Sequence, residues 1–145
     1  MAKTYRPTLF MGLGNMLATG LVRTGLKVGL MALLTVPGRN SGQPRTTPLA
    51  IVEQDGQRYL IAAFGIVQWV RNLRAAGAAT LTREGVSEAI RVVELAPAEA
   101  APILKAALGK GPSFTRAYFD ATLDSPLADF EREALTHPVF LIQGM

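Results

Sequence analysis

With 145 residues, 49% of them hydrophobic, the chain is the size of one domain and can build a real core. It has no Cys, which excludes disulfides, thiolate metal sites and Cys nucleophiles, and one His, which excludes a two-His metal site within one chain. The net charge of +4 is polarised: residues 1–52 hold six Lys or Arg and no acid, while the rest hold nine against eleven acids. That end of the protein is suited to anions, whether phosphates, lipid headgroups or nucleic acid.

The first segment, "PTLFMGLGNMLATGLV", is uncharged between Arg6 and Arg23. It is shorter than the ~20 apolar residues of a membrane span. Charge returns at once after it, with no small-residue cleavage site. The pattern predicts an apolar helix over residues 1–26. That helix packs on the body or lies at a membrane surface through residues 7–27, with Arg6, Arg23 and Lys27 near lipid phosphates.

Residues 27–145 read as one further domain. "KVGLMALLTV" (27–36) is a buried strand stopped by Pro37-Gly38. "TTPLAIVEQ" (46–54) is a second strand, with Pro48 fitting an edge. Asp55-Gly56 signals a two-residue hairpin into "QRYLIAAF" (57–64). "QWVRNLRAAG" (68–77) has helical spacing and ends on Gly77, a plausible C-cap. "AATLTREG" and "VSEAIRVVEL" flank Glu84-Gly85 as another hairpin, and "APAEAAPILKAALGKG" and "PLADFEREAL" read as helices. "PVFLIQG" closes the chain as a strand, with His137 as a structural residue at its start. About six mainly antiparallel strands with covering helices predict a small α+β barrel. A doubly wound sheet would need helices where this chain has hairpins.

The turn between the first two strands, "TVPGRNSGQPRTTPL", carries more chemistry than a hairpin needs. Gly38 and Gly42 let backbone N–H groups turn inward into an anion-binding concavity. Ser41, Thr46 and Thr47 add hydroxyl donors, and Arg39 and Arg45 add forked donors suited to phosphate or carboxylate. The spacing is not that of a P-loop. A solvated hairpin tip is the plainer alternative. Trp69, with Leu73 four residues on, fits a core contact as well as a ligand contact.

"LLTVPGRNSGQPRTTPLAIVEQDGQRYLIAA", then "WVRNLRAAGAATL" and "HPVF", resembles the deazaflavin-dependent nitroreductase family of actinobacteria over nearly the whole chain after residue 25. Its most specific parts are Gly38, Arg39, Ser41, Gly42 and Arg45, and Trp69, Asn72 and Leu73. The resemblance implies a split β-barrel of the FMN-binding type that holds coenzyme F420, a deazaflavin with a phosphate and polyglutamate tail. It places the tail near Arg39, Asn40, Ser41 and Arg45, with Gly42 and Thr46 also among the cofactor-binding residues. It places the ring against Thr47, Pro48, Leu49, Ala62, Ala63, Phe64 and Gly65, with Trp69 and Asn72 lining or supporting the pocket. It also points to Tyr118 as the catalytic proton donor, with Tyr59 and Ser113 as other candidates.

Two departures stand out. Asn40 occupies a position where many members have Lys, and "AAFGIVQWVRN" runs straight from strand to helix without the longer Gly- and Pro-rich loop. The shorter loop resembles a branch linked to lipid or fatty-acid substrates. The implied function is hydride transfer between reduced F420 and an apolar acceptor: a quinone, an unsaturated lipid or a nitro compound. No metal is required. A non-catalytic lipid or cofactor carrier and an FMN-dependent oxidoreductase are the alternatives. A nucleic-acid partner is disfavoured, because the basic residues are not interleaved with exposed aromatics. The chain is read as cytoplasmic, peripheral at the membrane face, and as a homodimer, since split barrels often pair.

Overall fold

Apolar alternation builds the first strand. In β1 (Met31–Pro37), Ala32, Leu34 and Val36 are buried on one face. The computed structural model describes residues 31–110 and 113–144, so the helix expected over residues 1–26 and the membrane contact expected for residues 7–27 lie outside the described residues. β2 (Pro44–Ala50) returns beside β1, with Val36 opposite Arg45 and Leu34 opposite Thr47.

Two tight turns set the next pairings. Asp55 and Gly56 have φ of 53° and 78° and join β3 (Val52–Gln54) to β4 (Gln57–Ile61). Glu84 and Gly85 have φ of 52° and 79° and join β5 (Ala78–Arg83) to β6 (Val86–Glu94). Positive φ at both central residues is the type I′ geometry, whose twist matches that of the strands. β7 (Val139–Gly144) lies between β4 and β6.

All pairings are antiparallel, in the order β2-β1-β5-β6-β7-β4-β3. The two outer strands, β2 and β3, are consecutive in the chain with only Ile51 between them. The sheet therefore curls until its edges meet through a covalent bond. The strand expected over 46–54 is real but bent. Its first half pairs with β1 and its second with β4, so the ladder breaks at Ile51, which is buried at the bend. Six expected strands are thus seen as seven. Pro48 sits opposite Leu33 in β2, an edge strand where a missing N–H costs little.

Two cores share β4 and β7. Inside the curl lie Leu34, Val36, Ile51, Leu60, Phe140 and Ile142, with Val70 and Leu73 from α1 (Gln68–Ala76). The opposite faces of the same strands give Tyr59 and Val139 to a second core. That core is completed by α2 (Pro97–Lys110), α3 (Leu127–Glu133) and residues following the 3-10 turn Ser113–Tyr118. Gly77 closes α1 in the left-handed region at φ 70°, with its N–H donating to Leu73 O at 2.8 Å.

Phe130 is fully buried in the second core. Phe130→Ala should cost about 3–5 kcal/mol, through lost transfer energy and the cavity left behind. Urea unfolding of the two proteins measures it.

Candidate functional site: a cationic cradle at the barrel end

The turn between β1 and β2 is held from within. Gly42 N–H donates to Gly38 O at 2.8 Å, Gly38 N–H donates to Gln43 O at 2.8 Å, and Gln43 N–H donates to Ser41 Oγ at 3.2 Å. A Cβ on Gly38 would stand 3.1 Å from Ser41 Oγ and 3.3 Å from Gln43 O, so a side chain there would press on the closely folded turn. Gly42 adopts φ 72°, the left-handed conformation glycine takes at little cost.

α1 faces this turn. Asn72 is 5% exposed, and its Oδ1 accepts both from the Arg39 backbone N–H at 3.1 Å and from Arg39 Nη1 at 2.8 Å. Gln68 Oε1, one turn earlier, accepts from the same Nη1 at 2.8 Å. Arg39 is thus aimed by two neutral amides. The described residues include every acid of the chain, and none of them pairs with Arg39 or Arg45. Glu88, Glu94, Glu53 and Asp129 pair instead with Arg58, Arg74, Arg83 and Arg132. Two uncompensated guanidiniums in one concavity favour an anionic ligand.

The cavity between turn, β2 and α1 has a volume of about 650 Å³. Arg39, Asn40, Ser41 and Arg45 line it from the turn and the start of β2, Thr46 and Thr47 follow along β2, and Trp69 and Asn72 close it from α1. Thr46 Oγ1 is within 2.9 Å of Thr35 Oγ1, which fixes that hydroxyl. Trp69 packs toward Phe140, with ring centroids 6.2 Å apart, and also lines the cavity. Gln68 also lines it, a residue the sequence reading passed over. Its signal was its place four residues before Asn72 on one helix face.

The remaining candidates do not line this cavity. Gly42 belongs to the turn itself, and Leu49 packs against the first core. Pro48 lies in β2 between Thr47 and Leu49. Ala62, Ala63, Phe64 and Gly65 form the link from β4 toward α1, with Gly65 at φ 98°. Phe64 meets Tyr118 edge-on, with centroids 4.9 Å apart. Tyr59 is 9% exposed in the second core, and Ser113 begins the 3-10 turn. Ala62 and Tyr118 meet at His137, a buried residue whose bonding the sequence did not disclose.

Glu133 lies near this group. Burial pushes its carboxyl above the usual carboxylate range, against the Asp120 N–H that donates to Oε1 at 3.2 Å and the nearby His137. Its Oε2 has no hydrogen-bond partner among the described residues.

Residues 16–119 match the family model described as F420H(2)-dependent quinone reductase. The chain belongs to that family. It is an F420-dependent oxidoreductase with an α+β split barrel. A solved structure described as an F420-H2 dependent reductase (FDR-A) is 21% identical, over 79% of this chain and 94% of that one, with a TM-score of 0.54. A chain described as a domain-swapped dimer is 22% identical, over 88% and 91% of the two chains, at 0.56. A third, from Clostridium acetobutylicum, is related to general stress protein 26 of the pyridoxinephosphate oxidase family. It is 12% identical, over 80% and 75%, at 0.51. These likenesses are of fold. No curated protein is similar enough in sequence to count as a match.

Removing the Asn72 amide strands the Arg39 N–H, so Asn72→Ala should cost about 1–3 kcal/mol in chemical denaturation. For Glu133 the folded-state pKa lies above the unfolded one. Its contribution to stability is therefore greatest below the ordinary value of 4.5 and is lost as pH rises through the folded value. Glu133→Gln should flatten that decline, and urea midpoints measured on either side of the window check it.

Proposed function

We propose that this F420-dependent reductase passes hydride to an apolar acceptor of the quinone class, with the coenzyme's anionic tail in the Arg39–Arg45 cradle. The observation that carries the placement is the pair of arginines without a carboxylate partner among the described residues, one of them aimed by Asn72 and Gln68. The residues present fit a phosphate and carboxylate tail: forked cations at Arg39 and Arg45, hydroxyls at Ser41 and Thr46, and a turn closed tightly by Gly38 and Gly42. The family's name supports a quinone as acceptor.

When bound, the reduced deazaflavin supplies a two-electron hydride donor. The chain's part is to hold, orient and shield. Arg39 and Arg45 bind the tail, with Asn40 beside them. Thr47, Pro48 and Leu49 and the link Ala62–Gly65 flank the ring, while Trp69 keeps water from the cavity. Tyr118 gives the proton that completes reduction. FMN would engage the same arginines through one phosphate and leave the rest of the cradle unused. We further propose that the protein pairs as a dimer, in line with the relative described as a domain-swapped dimer. Residues 7–27 would touch the membrane surface peripherally. Among the described residues, no helix is long and apolar enough to cross a membrane.

Titration with oxidised F420, with FMN in parallel and fluorescence as readout, tests the placement. F420 should bind more tightly than FMN. Arg39→Ala combined with Arg45→Ala should weaken F420 binding by more than about 2 kcal/mol, or roughly 30-fold. An unchanged dissociation constant would remove the cradle from the coenzyme site. Binding without oxidation of the reduced coenzyme by quinone, nitro or unsaturated-lipid acceptors would leave a carrier.

A further inference from the structure

His137 joins two segments that do not line the anion cavity. It directly precedes Pro138 and β7 and is 4% exposed. Its Nδ1 stands 2.8 Å from Ala62 O and its Nε2 stands 2.8 Å from Tyr118 O. Carbonyl oxygens only accept, so a ring nitrogen that carries a proton donates to the carbonyl it faces. Phe119 stacks on the imidazole at 3.9 Å and 12°, which fixes the plane of the two bonds. Glu133, one helical turn earlier, takes the His137 backbone N–H on its own carbonyl at 2.7 Å and sets a buried carboxyl group nearby.

The gripped carbonyls belong to two separate elements. Ala62 O also accepts from Gly65 N–H at 3.1 Å, and Val67 N–H donates to Gly65 O at 3.0 Å, so the segment carrying Phe64 is folded onto the atom His137 holds. Tyr118 ends the 3-10 turn. The rings of Phe64 and Tyr118, one on each gripped segment, meet edge-on. The Ala62 segment continues into α1, whose Gln68 and Asn72 hold Arg39. One buried side chain thus spans the strand-to-helix link and the 3-10 turn, 75 and 19 residues away in sequence.

We propose that His137 is a positioning residue for the ring end of the coenzyme site. By bridging Ala62 O and Tyr118 O, it sets the separation of the Phe64 segment from Tyr118 without touching the ligand. The inference rests on the coenzyme placement given above. It assigns His137 to the geometry of hydride transfer and leaves tail binding to the arginines.

His137→Phe keeps an aromatic ring against Phe119 and removes both ring nitrogens, while His137→Gln restores N–H donation. Affinity is read by titration with oxidised F420, and turnover by oxidation of reduced F420 with menadione. The Phe variant should bind F420 within about twofold of the parent and lose about 10- to 100-fold in kcat, with the Gln variant regaining part of the loss. A kcat within about twofold of the parent, or equal losses in kcat and affinity, would overturn the assignment. A second arm uses the unaltered protein without coenzyme. Nitrogen-15 NMR of the imidazole should show a slowly exchanging ring N–H, and a ring with no protected N–H would overturn the assignment even if the Phe variant does not fold. Failure of the unaltered protein to bind F420 would overturn the coenzyme placement instead, while the NMR arm still decides the His137 bridge.

Discussion

The covalent closure at Ile51 is the constraint on which the other features depend. Strands β2 and β3 take their hydrogen bonds from opposite ends of a seven-strand order, yet one residue separates them. The sheet must curl to satisfy both ladders at once, and a curled sheet has an inside and two ends. α1 covers one end by inserting Val70 and Leu73 into the first core. The same helix carries Asn72 to the turn after β1, so packing of the barrel end and aiming of Arg39 are one event.

Charge is sorted along the barrel. The pairs Arg58–Glu88 and Arg83–Glu53 lie toward the strand ends that carry the two tight hairpins, and Arg74–Glu94 lies on the outside. Being partly exposed, each is worth little in stability. Their larger consequence is allocation: acids partnered there are not available to the arginines of the turn. Glu88, for example, is held below the usual carboxylate range, mainly by the Arg58 guanidinium bonded to it.

Much of this was legible in the sequence, for local reasons. Asp-Gly and Glu-Gly with flanking alternation specify their turns within four residues, and both appear as type I′ hairpins. The apolar run at "PVFLIQG" made sense as a strand, and its burial on both faces explains why it barely alternates. The break at Ile51 was not legible, because both halves of 46–54 carry the same extended pattern and only their distant partners differ. The residue types of the cradle could be read from the turn. Its orientation depends on partners 29 and 33 positions away, and the grip of His137 reaches 75 positions, distances at which residue spacing says nothing.

The partners of Arg39 are amide oxygens, and amides do not titrate. A carboxylate in their place would neutralise the guanidinium before any ligand arrived and would make its availability follow acidity. With Asn72 and Gln68 instead, the guanidinium is aimed without being neutralised, and its charge is left for the ligand. The solution variable left to modulate such a site is ionic strength, which screens it over about 8–10 Å at ordinary salt.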